Sequence, residues 1–263
     1  MIFKLVKHLL VIIFLTVFTQ IGGVVYLLVI FGLKNFDNKI KLVVFLLMYV
    51  IISFVVVPCI SPYFGRVRIV NSDYLQPRSF LYTLTNRNYV VPEMNEVLQS
   101  VAENYEKSKS GAKLIYLDAN FPFFNGFPLL PHLSHNDGKK IDVTLMYKDG
   151  KGKLTNRKPS ISGYGVYEEP IEKEYNQIDV CKQKGFWQYD FPKYLTFGRI
   201  NLDLEFANEA NKELINLFLK HQKVSKIFIE PHLKSRLKLN NSKIRFHGCQ
   251  AVRHDDHIHV QLR

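Results

Sequence analysis

Between Leu9 and Leu33 the chain carries no charged side chain, and a second charge-free run extends from Leu42 to Ser61. An α-helix rises about 1.5 Å per residue, so roughly 20 apolar residues cross a hydrocarbon core about 30 Å thick. Both runs reach that length, and the polar stretch Lys34–Lys41 separates them. The sequence therefore predicts that residues 1–61 form a two-helix transmembrane hairpin, with spans over about 9–33 and 42–61. A cleaved signal peptide followed by a buried helix is the competing reading. The first run is longer than the h-region of about 7–15 residues that such a signal needs, and no small-residue cleavage site follows it. Two spans put both termini on one side. Charge does not choose that side: Lys34, Lys39 and Lys41 favour a cytoplasmic turn, while Lys4, Lys7, Arg66 and Arg68 oppose it.

Residues 62–79 read as a linker, and 80–263 as a domain long enough to bury a core. Pro92 opens a helix in which Met94, Val97, Leu98, Val101 and Tyr105 recur at helical spacing. Strands are predicted over 113–117, 141–147, 225–229, 243–246 and 258–262, with further helices over 203–221 and from Pro231. Residues 148–195 show little periodicity and read as a long insertion. The resulting class is α+β with a mainly antiparallel sheet. The net charge of +12 is scattered, with no basic helix and no nucleic-acid module, so nucleic acid is not an expected partner. No two of the three cysteines form a CxxC pair, which argues against a structural cysteine-built zinc site. Spacing leaves open whether Cys181 and Cys249 form a disulfide or stay as thiols.

Five of the nine histidines fall in two short stretches, Pro131-His-Leu-Ser-His-Asn-Asp-Gly-Lys-Lys-Ile-Asp142 and Arg253-His-Asp-Asp-His-Ile-His-Val260. Imidazole and carboxylate together suit a borderline cation such as zinc, whose catalytic sites take three protein ligands. His257 and His259 alternate along a strand candidate, so both rings face one side. Spacing permits, without requiring, the loop through Gly138 to bring His135 and Asp142 together.

Ser134-His135-x-x-Gly138-x-x-x-Asp142 with His257-x-His259 resembles the zinc peptidases grouped around lysostaphin and the D-alanyl-D-alanine carboxypeptidases. Within that group it looks most like the penicillin-insensitive murein endopeptidases, whose extra histidines are matched by His132 and His254. Asn86-Arg-Asn-Tyr89 and the block 224–234 are similar too. Lys140 stands where the family often has an acid, and 148–195 has no counterpart.

The resemblance implies one zinc held by His135, Asp142 and His259, with His257 as general base and His132 and His254 toward the developing negative charge or the substrate. It implies hydrolysis of peptidoglycan peptide by a membrane-anchored domain outside the cytoplasmic membrane. Both termini are then expected outside and the Lys34–Lys41 turn inside. Asp255 and Asp256 read as turn acids or as partners of a ligand, and His232 and His247 as ordinary side chains. The rival readings are a non-catalytic zinc-containing binding module, a D-Ala-D-Ala carboxypeptidase, and a hydrolase of another substrate such as a phosphodiester.

Overall fold

The computed structural model describes residues 2–196 and 198–263. It opens with helices α1 (Ile2–Thr19), α2 (Gly22–Gly32) and α3 (Asn38–Ile51). A π-helical turn, Ile52–Val56, leads into α4 (Val57–Ile60) and a 3-10 turn, Ser61–Phe64. Next come β1 (Val67–Arg68), β2 (Leu75–Pro77), α5 (Phe80–Leu84), β3 (Tyr89–Val90), α6 (Pro92–Ser108), β4 (Leu114–Tyr116) and β5 (Lys140–Thr144). The insertion contributes β6 (Tyr147–Lys148), β7 (Leu154–Thr155), α7 (Gln177–Gln183) and a 3-10 helix, Trp187–Tyr194. The chain ends with β8 (Glu205–Phe206), α8 (Asn208–Lys220), β9 (Val224–Phe228), α9 (Pro231–Arg236), β10 (Ile244–Arg245) and β11 (His257–Leu262).

Two compact units form. One comprises 1–69, 80–92 and 118–139, and the other comprises 70–79, 93–117 and 140–263.

In the first unit, two helical stretches are long and apolar enough to cross a membrane, Ile2–Thr19 and Asn38–Phe64. The first charge-free run is therefore not one helix over 9–33. It breaks at Gln20, whose backbone takes φ 66°, a conformation rare outside glycine. Beyond the break α2 folds back along α1. A Cβ on Gly23 would fall 2.0 Å from Thr16 Oγ1 and 2.8 Å from the Ile12 carbonyl, so only glycine allows this approach. His8 Nδ1 meets the Tyr26 hydroxyl at 2.7 Å, which fixes the antiparallel run of the two helices.

Ile21, Val25, Tyr49, Val57 and Tyr89 form a buried apolar cluster with Leu84 and Phe123 packed on it. Polar groups at this level are matched to the segments of the same unit. Gln20 Nε2 donates to the Phe123 carbonyl at 2.8 Å, and its Oε1 accepts from the Phe123 N–H at 2.9 Å. The Tyr49 hydroxyl donates to the Leu84 carbonyl. Buried Arg66 donates to the Phe121 carbonyl and to Asn125 Oδ1. Segment 118–139 is thus built onto the helices, through side chains that burial would otherwise leave unsatisfied.

The second unit is organised on a six-stranded sheet in the order β10-β9-β11-β5-β4-β2. β11 is central, antiparallel to β5 and β9, and places His259 opposite Asp142 and His257 opposite Thr144. β9–β10 and β2–β4 are parallel, so the sheet is mixed and not purely antiparallel, although its other three pairings are antiparallel as the sequence suggested. Parallel neighbours need a crossover; α9 lies in the connection from β9 to β10, and α6 in that from β2 to β4. The insertion is more ordered than its lack of periodicity implied. β6 pairs with β7 and β8 in a small antiparallel sheet, and α7 is joined to Cys249 by a Cys181–Cys249 disulfide. Cys59 is free and exposed.

Lys158 is fully buried, donating to the Leu145 carbonyl at 2.8 Å. Burial lowers its ammonium to about 7, with Arg78 adding to the effect. Between that value and the ordinary one near 10.5, the unfolded chain binds a proton that the folded one has lost. Stability therefore rises with pH over this window. Denaturant midpoints measured from pH 7 to pH 10 are expected to rise in the native protein and to show a flatter profile in Lys158→Met.

Candidate metal centre

The loop between β4 and β5 carries His132 and His135. His135 is 1% exposed, and its Nδ1 donates to the Ala119 carbonyl at 2.7 Å. That bond fixes the tautomer and leaves Nε2 with the lone pair a metal needs. His132 is held by Asp118, with Nδ1 2.8 Å from Oδ2. Asp118 is itself gripped by Arg87 through Nε and Nη2, at 2.6 and 2.7 Å. Burial alone would raise the Asp118 carboxyl, but the Arg87 guanidinium and His132 outweigh it and hold the group at about 2.

Asp142 and His259 face each other across β5 and β11, with His259 Nδ1 2.9 Å from Asp142 Oδ1. The ligand atoms that His135, Asp142 and His259 offer all lie within 4.8 Å of one another, and all three residues are buried. These are the three residues that the resemblance implies as zinc ligands. His257 lies two residues along the strand, with Nε2 3.7 Å from Asp142 Oδ2. Its Nδ1 is bound to Asp256 Oδ1, and the other Asp256 oxygen accepts from the Gly165 N–H at 2.5 Å. Burial would lower His257, yet Asp142 and Asp256 outweigh it and raise the imidazolium to about 9. Asp256 is therefore the buried partner of His257 and not a solvated turn acid.

His254 completes the cluster, 4.9 Å from the ring of His257 and 5.8 Å from that of His259. Burial, then the neighbouring His257 and His259, push it well below the usual imidazole range, so it is neutral. Its Nδ1 is buried with no hydrogen-bond partner. A neutral imidazole nitrogen left open among imidazoles and a carboxylate is a donor set that fits a bound cation or an incoming polar ligand.

Two members were not found from the sequence. Tyr164, in the insertion, donates to Asp142 Oδ2 at 2.8 Å and meets the His257 ring edge-on at 5.0 Å. His247 lies 5.1 Å from the His254 ring and 6.0 Å from that of His259, so it belongs to the cluster. Neither has a periodic or motif signal; the aromatic character of the insertion was the only hint. His232, by contrast, is structural: it is buried and its Nε2 donates to the Glu168 carbonyl.

A buried network holds the second histidine stretch in place. Glu230 Oε1 accepts from the His254 N–H, and Oε2 accepts from the Tyr189 hydroxyl. Arg253 pairs with Asp255, Asp190 and Glu169. No family model matches the chain, and no curated protein matches it.

Outer partners of metal-site histidines typically carry 10–100-fold in affinity or activity. Asp256→Asn is accordingly expected to lower any hydrolytic turnover by about that factor. Any metal bound should stay near the level of the native protein in the same samples.

Proposed function

We propose that the protein is a membrane-anchored zinc peptidase acting on peptidoglycan peptide, with its catalytic domain outside the cytoplasmic membrane. The observation that carries this reading is the convergence of the His135, Asp142 and His259 donor atoms within 4.8 Å, beside a histidine held by its own carboxylate. The histidine and aspartate pattern resembling the murein endopeptidases supplies the substrate class, and the Cys181–Cys249 disulfide suits an oxidising compartment.

A zinc ion held by these three residues would supply an acidified water and polarise the scissile carbonyl. The remaining chemistry belongs to the chain. His257 takes the proton at Nε2, because Asp256 keeps Nδ1 engaged. Without a metal, Asp142 and Asp256 hold His257 in its charged form; the positive charge of a zinc ion beside Asp142 would oppose that and leave Nε2 able to accept a proton. Tyr164 orients the Asp142 carboxylate through Oδ2, leaving the ligand face set by β5. Neutral His254 offers a nitrogen to the substrate oxygen, and His132, aimed by Asp118, does the same from its loop.

The test uses the full chain in detergent or nanodiscs, with zinc content and release of fragments from isolated peptidoglycan as readouts. One zinc per chain, loss of cutting on chelation, and His257→Ala retaining metal while losing activity are expected. Zinc binding without cutting of cross-linked or linear wall peptide would favour the binding-module reading. Release of terminal D-alanine alone would favour a carboxypeptidase.

A further inference from the structure

The break at Gln20 changes how the helices run through a membrane. α1 climbs to Gln20, α2 descends to Gly32, and α3 climbs again toward Phe64. His8 bonds Tyr26, and the Tyr26 ring meets that of Phe45 at 6.1 Å, so residues 8, 26 and 45 share one level of the bundle. On the side of that level away from Gln20 lie Lys4, Lys7, Lys34, Lys39 and Lys41, with Asp37 the one acid among them. Lys41 Nζ donates to the Lys34 carbonyl, which ties the turn to the start of α3. Five cations in short flanking segments gathered at one end are what the positive-inside bias selects.

Length places the other end. From Lys41 to Ile60 the helix rises roughly 29 Å, the thickness of a hydrocarbon core. From Lys7 to Gln20 it rises only about 20 Å, so Gln20 lies within that core. A turn at such depth is tolerated only where protein satisfies its backbone and side chains. Here the main chain of Phe123 does so through both of its polar groups. Around this level the surface is apolar. Phe80 and Leu81 of α5 are 63% and 62% exposed, Phe80 stacks on Phe54 of the π-turn at 5.9 Å, and Phe124 is 61% exposed.

We infer that the amino terminus and the 33–37 turn lie on the cytoplasmic face, and that α5 and Phe124 are embedded in the acyl chains of the opposite leaflet. The amino terminus and the chain that follows α4 then face opposite sides, unlike the same-side arrangement expected of two spans. The lipid is the occupant because the Phe54–Phe80 stack joins this apolar surface to that of the spanning helices, and the charge beside it, Arg68, is taken up by the Phe54 ring and the Ser53 carbonyl. The inference does not depend on the metal reading.

Single cysteines in a Cys59→Ser background test it, since Cys181 and Cys249 are joined. Phe3→Cys, Phe36→Cys, Leu81→Cys and Ser110→Cys are treated with a membrane-impermeant maleimide in right-side-out vesicles. Ser110→Cys should label directly, and Phe3→Cys and Phe36→Cys only after permeabilisation. Leu81→Cys should resist the impermeant reagent in both conditions and react with a lipid-soluble maleimide. Direct labelling of Phe3→Cys with Phe36→Cys protected would restore the two-span hairpin and overturn the topology. Direct labelling of both, with Ser110→Cys protected, would reverse the orientation. Labelling of Leu81→Cys as readily as Ser110→Cys would overturn the embedding.

Discussion

If the proposed zinc reading holds, the His259→Ala protein is expected to lose the metal while keeping its sheet. The backbone of β11 pairs with β5 and β9 irrespective of the side chain, so the strand remains in register. What disappears is one of three donor groups within 4.8 Å of each other. Loss of an outer partner already costs about 10–100-fold in metal affinity, so loss of a ligand is expected to exceed about 100-fold. Competition with a chelator reads this directly, with near-ultraviolet circular dichroism to confirm packing. His257→Ala is the matched control, because it removes an imidazole from the same strand without removing a ligand. Equal affinity in His259→Ala and native protein would dismantle the ligand assignment.

Arg253→Ala is expected to destabilise the domain by about 3–5 kcal/mol, the cost of leaving buried acids without their cation. Arg253 is 2% exposed and makes two contacts with Asp255, at 3.0 and 2.5 Å, and one with Asp190 at 3.0 Å. Its guanidinium also lies 3.9 Å from the centre of the Tyr167 ring. Burial would lower Arg253, but the Asp255 carboxylate dominates and keeps it firmly charged. Removing it strands Asp255, which is fully buried, in a neighbourhood already holding Glu230 and Asp256. Thermal unfolding should shift down by on the order of 10 °C. Arg253→Lys, which retains the charge but not the two-pronged geometry, should fall between. A shift under about 2 °C in Arg253→Ala would show that the acids are accommodated without it.

The candidate trio stood out because its chemistry is concentrated in the sequence. His257 and His259 alternate on a strand, and strand alternation alone predicts a shared face. The approach of Asp142 to His259 was not legible from spacing, since it depends on which strands become neighbours. The same limit hid the parallel pairs. β2 and β10 are three and two residues long, too short for a pattern, and their partners are chosen by the crossovers. Tyr164 and His247 reach the cluster from irregular segments, where no periodicity announces a direction. The break at Gln20 escaped for a different reason. Hydropathy counts charge and apolarity, and Thr19-Gln-Ile-Gly-Gly23 contains no charge, although glutamine beside two glycines is the local signature of a helix that ends.

The pairing of His259 with Asp142 makes the sheet a ruler. Side chains on a strand alternate faces, so slipping β11 by one residue against β5 would turn one of the pair away from the other. A one-residue insertion or deletion in either strand would leave most of the hydrogen-bonded ladder intact and still separate the two groups. Substitutions in these strands can be graded in effect; changes in their length cannot. Variation in chain length should therefore be confined to places such as the turn between β6 and β7, residues 149–153, which touches neither strand of the pair.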